Sequence, residues 1–130
     1  MEYPRSEEDF IHSLRQRHCV GMVAENSLNE VIGFIVYEMH CTRLKILSLA
    51  VRSDERHRSV GTRLIDKLKS QLKPQGRCRI GMEVRESNLI GQQFFRKLGF
   101  PAVSILRNFY DDAREDAYLM EYRCRSGVRS

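Results

Sequence analysis

Long apolar runs are missing from this chain of 130 residues, and so is a leader of the secretory kind. A membrane-spanning helix needs about 20 consecutive apolar residues. The first ten residues, MEYPRSEEDF, are too acidic and polar for a signal peptide. We therefore expect a cytoplasmic protein without membrane contact. The length and the 42% hydrophobic content indicate one globular domain over residues 1–130, with frayed ends at residues 1–5 and 125–130.

Closely spaced cysteines are missing as well. The four cysteines are widely separated along the chain: Cys19, Cys41, Cys78 and Cys124. Zinc sites typically contain C-x-x-C pairs, and none is present, so we expect no metal site. Cys78 and Cys124 lie in apolar, strand-like runs, which favours buried and reduced thiols.

The two common nucleotide-binding fingerprints are also missing. The chain contains neither G-x-x-x-x-G-K-[ST] nor G-x-G-x-x-G. Its net charge of +5 permits an anionic partner of three kinds: a nucleic acid, an acidic peptide or a phosphorylated cofactor. Charge alone does not distinguish between them.

Hydrophobic periodicity predicts a helix, three strands, a helix, a strand, a helix and two strands. The predicted elements are SEEDFIHSLRQR, CVGMVAE, VIGFIVYEM, RLKILSLAV, the helix within DERHRSVGTRLIDKL, RCRIGMEVR, SNLIGQQFFRKLGF, PAVSILRNFY and EDAYLMEYRC. Short links between the first three strands predict an antiparallel meander, and the strand–helix–strand unit predicts a parallel crossover. Pro74 and Gly76 are expected to end the middle helix, and Gly99 to cap the last one. The predicted fold class is α/β (α+β), with a mixed, mostly antiparallel sheet and flanking helices.

The stretch DERHRSVGTRLIDKL places Arg56, His57 and Arg58 at the entrance of the middle helix. A helix amino terminus already carries a partial positive charge and unpaired N–H groups, so further cations destabilise the isolated helix. Either these side chains are simply solvated, or they bind an anion together with the N–H groups. Their position between a strand and a helix favours the anion.

The longer stretch LAVRSDERHRSVGTRLIDKL resembles the acyl-CoA-binding motif of the GNAT acetyltransferase superfamily. In that motif an apolar strand end leads into R/Q-x-x-G-x-G/A at the start of a helix. MEVRESN, FFRKLGF and RNFYDDAREDAYLM resemble later parts of the same fold, in the same order. The similarity covers residues 10–124, and the most similar group is the bacterial ribosomal-protein alanine N-acetyltransferases. The resemblance implies a GNAT-like sheet and acetyl transfer from acetyl-CoA to an amine.

The resemblance also implies which residues hold acetyl-CoA. The backbone of Leu49, Ala50 and Val51 would pair with the pantetheine arm. The pyrophosphate would lie against the backbone and side chains of the helix entrance, namely Arg56, His57, Arg58, Ser59, Val60, Gly61 and Thr62.

Two features depart from the family pattern. Ser59 stands where the family prefers glycine, and serine is unfavourable if this position needs a positive φ. Its hydroxyl could instead donate to a phosphate oxygen. The family's first strand and first helix are expected to be missing, because there is no room for them upstream of Phe10. The CVGMVAE strand would then have an exposed edge, through which a homodimer could form.

Glu83 matches the glutamate of LEVRxSN that serves as the general base in the resembling enzymes. It lies on the polar face of its predicted strand, opposite Met82 and Val84. The pKa of an α-amine is near 7.7–8.0, so roughly a tenth is neutral at pH 7, and one carboxylate acting through water suffices. Without the resemblance, Glu83 is better interpreted as a solvated residue paired with Arg79 or Arg85.

Helical spacing sorts the last helix into two stripes. The stripe expected in the core contains Ile90, Phe94 and Leu98, and the stripe expected along the pantetheine arm contains Asn88, Gly91 and Phe95. Asn88 matches the family's cofactor-contacting asparagine, although an asparagine at a helix start can also serve as a cap.

Phe95 stands where the resembling enzymes commonly carry a tyrosine, the proposed general acid. Phenylalanine has no proton to donate. A thiol with a pKa near 8.5 leaves without much help, so water or Tyr110 could replace the missing acid. We therefore expect an active but slower enzyme.

The stretch RNFYDD matches the hairpin that holds the substrate amino terminus in this family, which makes Asn108, Phe109 and Tyr110 candidates for a peptide groove. Taken alone, they are equally consistent with an ordinary edge hairpin. The neighbouring carboxylates would attract an acceptor with basic residues near its amino end; they belong to Asp111, Asp112, Glu115 and Asp116.

The leading hypothesis is an acetyl-CoA-dependent N-acetyltransferase that acts on the α-amine of a protein, such as a ribosomal protein. Acetylation of a small amine and a CoA-binding module with weak or no catalysis are the alternatives. A nucleic-acid binder would instead use the basic residues Arg52, Arg56, Arg58, Arg63 and Lys67. That function leaves Glu83 and Asn88 unexplained, so we do not expect direct nucleic-acid binding.

Overall fold

The structure, a computed structural model, describes residues 19–55, 59–73, 75–110 and 115–124. Its elements are β1 (Cys19–Glu25), β2 (Val31–Met39), β3 (Arg43–Val51), a 3-10 helix (Ser53–Glu55), α1 (Val60–Lys69), β4 (Arg79–Arg85), α2 (Leu89–Lys97), β5 (Ala102–Tyr110) and β6 (Glu115–Arg123). The predicted order is confirmed from the first strand onward. The predicted first helix, residues 6–17, lies outside the described residues, as do both ends predicted to fray.

The six strands form one sheet in the order β1-β2-β3-β4-β6-β5. Neighbouring strands are antiparallel except for β3 and β4, which are parallel. The predicted meander and the predicted parallel crossover are therefore both confirmed. In the described part of the chain, β1 pairs with β2 alone and forms one edge of the sheet. The homodimer expected through that edge stays a prediction.

The parallel pairing of β3 with β4 is short. It joins Arg43–Lys45 to Arg79–Gly81, whereas β3 stays paired with β2 as far as Val51. A β-bulge follows the last parallel pair, since Ile46 lies opposite Tyr37 and Ser48 opposite Val36, with Leu47 as the extra residue. Bulges bend a strand and increase its twist. The two parallel strands therefore diverge, and the sheet opens between them.

Both helices contribute to one hydrophobic core. Leu64, Ile65 and Leu68 of α1 and Phe95 of α2 are buried in it. Alternate residues of β4 join them, namely Ile80, Met82 and Val84. The predicted alternation of β4 is confirmed, and its polar residues lie on the face away from the helices.

Helix α1 ends at Lys69, earlier than the predicted stop at Pro74 and Gly76. Hydrogen bonds with i→i+3 spacing follow at once: the Gln71 N–H donates to the Leu68 carbonyl at 3.0 Å. Leu68 is the last buried residue of the helix, and Leu72, one turn later, is only partly buried against the core. The predicted cap of α2 is confirmed, because Gly99 has a φ of 97°.

Neither of the described α-helices is long and apolar enough to cross a membrane. At ten and nine residues, they fall well short of the length that a lipid bilayer requires.

A charged anchor joins the start of β6 to the end of β4. The Glu115 carboxylate accepts a hydrogen bond from the Ser87 N–H at 2.8 Å and pairs with Arg85 at 3.1 Å. The Ser87 hydrogen bonds, more than Arg85, hold the pKa of Glu115 below its ordinary value. Glu115 therefore stabilises the fold in its ionised form.

We expect Glu115→Gln to lower the free energy of unfolding at pH 7, measured by urea denaturation. A lowered folded-state pKa means that this contribution is complete above the ordinary glutamate pKa of about 4.3 and is lost as pH falls through the folded-state pKa. The gap between wild type and variant should thus close in acid. Asp66→Asn, on the exposed face of α1, is the control, and a gap that persists at pH 2 would contradict the assignment.

Candidate functional site

A cleft of about 430 Å³ lies where the end of β3, the start of α1 and the start of α2 meet. Its walls consist of Leu49, Ala50, Val51, Ser59, Gly61, Thr62, Asn88, Ile90, Gly91 and Phe94. Every predicted cofactor-contacting residue within the described part of the chain lines this cleft except Val60 and Phe95. Val60 is buried beneath it, 4% exposed.

The first turn of α1 lies at the cleft, which Ser59, Gly61 and Thr62 help to line. The helical bonding begins when the Arg63 N–H donates to the Ser59 carbonyl at 3.0 Å. The N–H groups of Val60, Gly61 and Thr62 precede that bond, so the helix itself does not use them. With the partial positive charge of the helix end, they make a suitable site for an anion.

Ser59 adopts the left-handed conformation, with φ 63° and ψ 23°. Position 59 therefore does need a positive φ, the backbone conformation for which glycine is preferred. Its side chain makes no capping hydrogen bond to the helix. A non-glycine residue in this conformation costs about 1–2 kcal/mol.

Arg52, next to this region, forms ion pairs with carboxylates of the protein itself. It lies 2.7 Å from Asp54 and 3.6 Å from each of Glu30 and Glu55. The hydrogen bond to Asp54 is the main reason why the pKa of Arg52 is raised. Arg52 is thus poorly suited to bind a phosphate, whereas Arg56–Arg58 lie outside the described residues.

Two glycines set the shape of the cleft. A Cβ at position 61 would lie 3.1 Å from the ring of Phe94, so Gly61 lets α1 approach α2. A Cβ at position 91 would lie 2.5 Å from Nδ2 of Asn88. Asn88 caps α2, since its Oδ1 accepts from the Gly91 N–H at 2.9 Å. The capping interpretation is confirmed, and the same amide still lines the cleft.

The predicted stripes of α2 are wrong at two positions. Ile90, expected in the core, is 81% exposed on the cleft wall. Phe95, expected along the pantetheine arm, is fully buried between Phe94 and Phe100, with ring centroids 5.1 and 5.5 Å away. Apolar residues occur on both stripes, so spacing alone could not choose between them. Gln92 orients the helix, because its amide donates to the carbonyls of Arg85 and Glu86.

A smaller cavity of about 180 Å³ lies in the opening between β3 and β4. Its lining includes Lys45–Leu47, Met82–Arg85, Phe95 and Phe109. Asn88 lines both this cavity and the larger cleft, so the two spaces adjoin. The opening of the sheet thus connects the amino end of α1 with the polar side chains of β4.

Glu83 faces this smaller cavity, with its side chain 19% exposed. Its ionic partner is Lys45, whose Nζ lies 3.3 Å from Oε2. The partners considered from the sequence were wrong: Arg79 lies 3.8 Å from Glu121, and Arg85 pairs with Glu115. Sequence reasoning overlooked Lys45, although a lysine between Leu44 and Ile46 in an apolar strand was a usable signal.

Phe109 reaches the same cavity from β5 and is 46% exposed. The β5–β6 register is irregular between Leu106 and Tyr110, and Asn108 within it has a φ of 49°. Such a bulge redirects side chains. Asn108 itself donates its N–H to Asp116 at 2.8 Å, and the Tyr110 side chain lies outside the described structure.

Two of the four carboxylates expected to attract a basic acceptor have structural partners. Glu115 pairs with Arg85, and Asp116 lies 3.1 Å from Arg107. Their charge is largely compensated locally, which weakens the predicted negative field. Asp111 and Asp112 lie outside the described residues. Across the ranges that are described, no group of three or more His, Cys, Asp or Glu side chains gathers as metal ligands.

The chain matches the acetyltransferase (GNAT) family over residues 1–100. It is 28% identical over 120 residues to the ribosomal protein bS18-alanine N-acetyltransferase of Escherichia coli K12, across 91% of this chain and 80% of that protein. It is 32% identical over 124 residues to an N-alpha-acetyltransferase of Sulfurisphaera tokodaii, across 85% of this chain and 73% of that protein.

The fold leads to the same family. The crystal structure of Ard1 from Thermoplasma volcanium superimposes with a TM-score of 0.82 at 29% identity, over 96% of this chain and 83% of that one. The GNAT-like mixed sheet expected from the sequence is thereby confirmed. The chain therefore belongs to the acetyltransferase (GNAT) family, and it is an N-acetyltransferase.

Proposed function

We propose that this protein transfers an acetyl group from acetyl-CoA to the N-terminal α-amine of another protein. The observation that carries the proposal is the opening between β3 and β4, which joins a cleft at the amino end of α1 to a cavity that contains a carboxylate. The names of the bacterial and archaeal relatives support an α-amine as the acceptor group. A ribosomal protein in the cytoplasm is one protein that could carry that amine. The whole chain, residues 1–130, would act as one domain.

The cleft offers backbone groups that suit the pantetheine arm and the pyrophosphate of acetyl-CoA. Its volume of about 430 Å³ falls within the range of small-molecule sites. The pantetheine arm would pair with the backbone of Leu49–Val51, and the pyrophosphate would bind the N–H groups of residues 59–62. Arg56, His57 and Arg58 would add positive charge beside the phosphates.

Glu83 would act as the general base. It would take a proton from the attacking amine, directly or through one water, while the nitrogen lone pair adds to the thioester carbonyl. The carbon–sulfur bond then breaks, and the CoA sulfur leaves with the electron pair. A thiol with a pKa near 8.5 can take its proton from water, so Phe95 need not supply one.

The acceptor chain would enter beside β5. Phe109 offers an exposed ring at the cavity, and the acceptor's first residues would pack against it. Asn108 and Tyr110, its neighbours in the sequence, would complete the proposed peptide groove. Because the carboxylates of Glu115 and Asp116 are already paired, we assign recognition of the acceptor peptide mainly to its contact with Phe109 and to the geometry of the cavity.

We expect Glu83→Gln to slow acetyl transfer by about 10²–10⁴-fold, because a glutamine amide cannot accept the proton. Mass spectrometry of peptides that begin with Ala or Ser, incubated with acetyl-CoA, measures the product. Glu25→Gln, an exposed change in β1, is the matched control. A variant at position 83 that retains the wild-type rate would exclude Glu83 as the base.

Ser59→Gly should raise the free energy of unfolding by about 0.5–1 kcal/mol, because glycine adopts the observed φ of 63° without strain. Affinity for CoA should be maintained or increased, as measured by calorimetry, since the same N–H groups remain. Ser70→Gly, at a helix end with φ −68°, is the control and should not stabilise the protein. If the hydroxyl of Ser59 instead binds phosphate, the position 59 variant loses CoA affinity.

Wild-type protein should catalyse measurable acetyl transfer. Phe95→Tyr should change the rate of transfer by less than about tenfold, because the thiol leaves without a proton from a protein acid. The assay is thiol release from acetyl-CoA in the presence of an Ala-starting peptide. Phe100→Tyr adds the same hydroxyl to the core at a position that does not line the cavity, and so controls for stability. Turnover that is undetectable in wild type and appears in Phe95→Tyr would contradict this expectation.

A further inference from the structure

Lys45 is the last residue of β3 that pairs with β4, so it lies where the two strands begin to diverge. Its parallel partner is Gly81, where a Cβ would lie 3.6 Å from Leu119 and 3.7 Å from Nη1 of Arg43, so neighbouring side chains use the space that the glycine leaves. The lysine ammonium reaches across to Glu83, 3.3 Å away. Its side chain is 27% exposed and lines the same cavity as Glu83 and Phe109.

Other charged groups surround this pair. On β2, Glu38 lies directly opposite Lys45, is 8% exposed and lies 3.0 Å from His40. On β4, Arg79 lies 3.8 Å from Glu121 and Arg85 pairs with Glu115. On β3, the guanidinium of Arg43 lies next to Gly81, with its Nη1 3.7 Å from the place of a Cβ there. Lys45 is the cation that forms the ion pair with Glu83 in the described part of the chain.

We propose that Lys45 is a specificity-determining residue that admits the acceptor amine in its neutral form and excludes the ammonium form. The inference rests on the proposed function, because it assigns the smaller cavity to the acceptor. An amine that approaches Glu83 within hydrogen-bonding distance must also approach the lysine ammonium. Two like charges at such distances repel strongly in a partly buried site.

The ion pair also removes the attraction that would otherwise favour ammonium binding. An unpaired Glu83 carboxylate would bind a protonated amine as a counter-ion, in a state that cannot attack the thioester. With Lys45 already on the carboxylate, a neutral amine loses nothing by entering, whereas an ammonium ion must displace the lysine. The arrangement thus favours weakly basic amines.

This selection separates two acceptor classes. At pH 7 roughly a tenth of an α-amine is neutral, compared with less than about 0.1% of a lysine side chain. A site that binds only the neutral form therefore prefers a protein amino terminus to an internal lysine by on the order of 10²-fold, before any peptide contact is made.

Steady-state kinetics between pH 7 and pH 9 test the proposal. For wild type with an Ala-starting peptide, we expect KM to rise about six- to tenfold from pH 9 to pH 7, following the neutral fraction of the amine, with kcat nearly constant. In Lys45→Met, KM should become nearly independent of pH, and kcat should fall instead as pH is lowered. Lys45→Arg, which keeps the charge, should retain the wild-type pattern.

Lys97→Met, an exposed change at the end of α2, removes the same charge elsewhere and should behave as wild type. A purely structural role for Lys45 would lower activity without moving the pH dependence from KM to kcat, and that result would overturn the proposal. Circular dichroism and thermal unfolding establish that Lys45→Met is folded, and Lys45→Gln serves in its place if it is not. Failure of wild type to acetylate any α-amine peptide would overturn the proposed function itself, whereas wild-type transfer with an unchanged KM profile in Lys45→Met would overturn only the role of Lys45.

Discussion

The divergence of β3 from β4 is the constraint on which the rest of the site depends. Only three residues of each strand pair in parallel, and the bulge at Leu47 turns β3 away immediately afterwards. Had the pairing continued, backbone hydrogen bonds would have closed the space now occupied by both cavities. The open strand edges instead present N–H and C=O groups that a ligand can satisfy. The fold therefore makes room for a linear molecule by leaving a sheet incomplete.

The amino end of α1 illustrates how close packing and strain coincide at that opening. Gly33 allows Val60 and Leu64 of α1 to lie directly on β2, since a Cβ there would be 3.1 Å from Val60. Gly61 does the same toward Phe94. Ser59 then takes a left-handed conformation to turn the chain into the helix. The start of α1 is thus held against the cleft by contacts on two sides, which offset the cost of the left-handed Ser59.

Several arginines in the described part of the chain have their charge compensated by a neighbouring carboxylate. Arg52, Arg85 and Arg107 each lie beside a carboxylate, although the chain as a whole carries a net charge of +5. The Lys45–Glu83 pair differs from the pairs of Arg52 and Arg107 because it faces a cavity, which Arg85 also lines. Its partial burial reduces screening by solvent and salt, so small changes in the charge of a bound molecule have large effects there.

The sequence by itself determined the order of the elements, the alternation of β4, the cap at Gly99 and the family, because these depend on local periodicity and on contiguous motifs. Only the tertiary structure decided which stripe of α2 is buried, since apolar residues at both Ile90 and Phe95 satisfy helical spacing equally well. The sequence marks Lys45 as an unusual residue in an apolar strand, but only the tertiary structure pairs it with Glu83. Lys45 is 38 positions away from Glu83 in the chain, and the parallel register of β3 and β4 brings the two charges together.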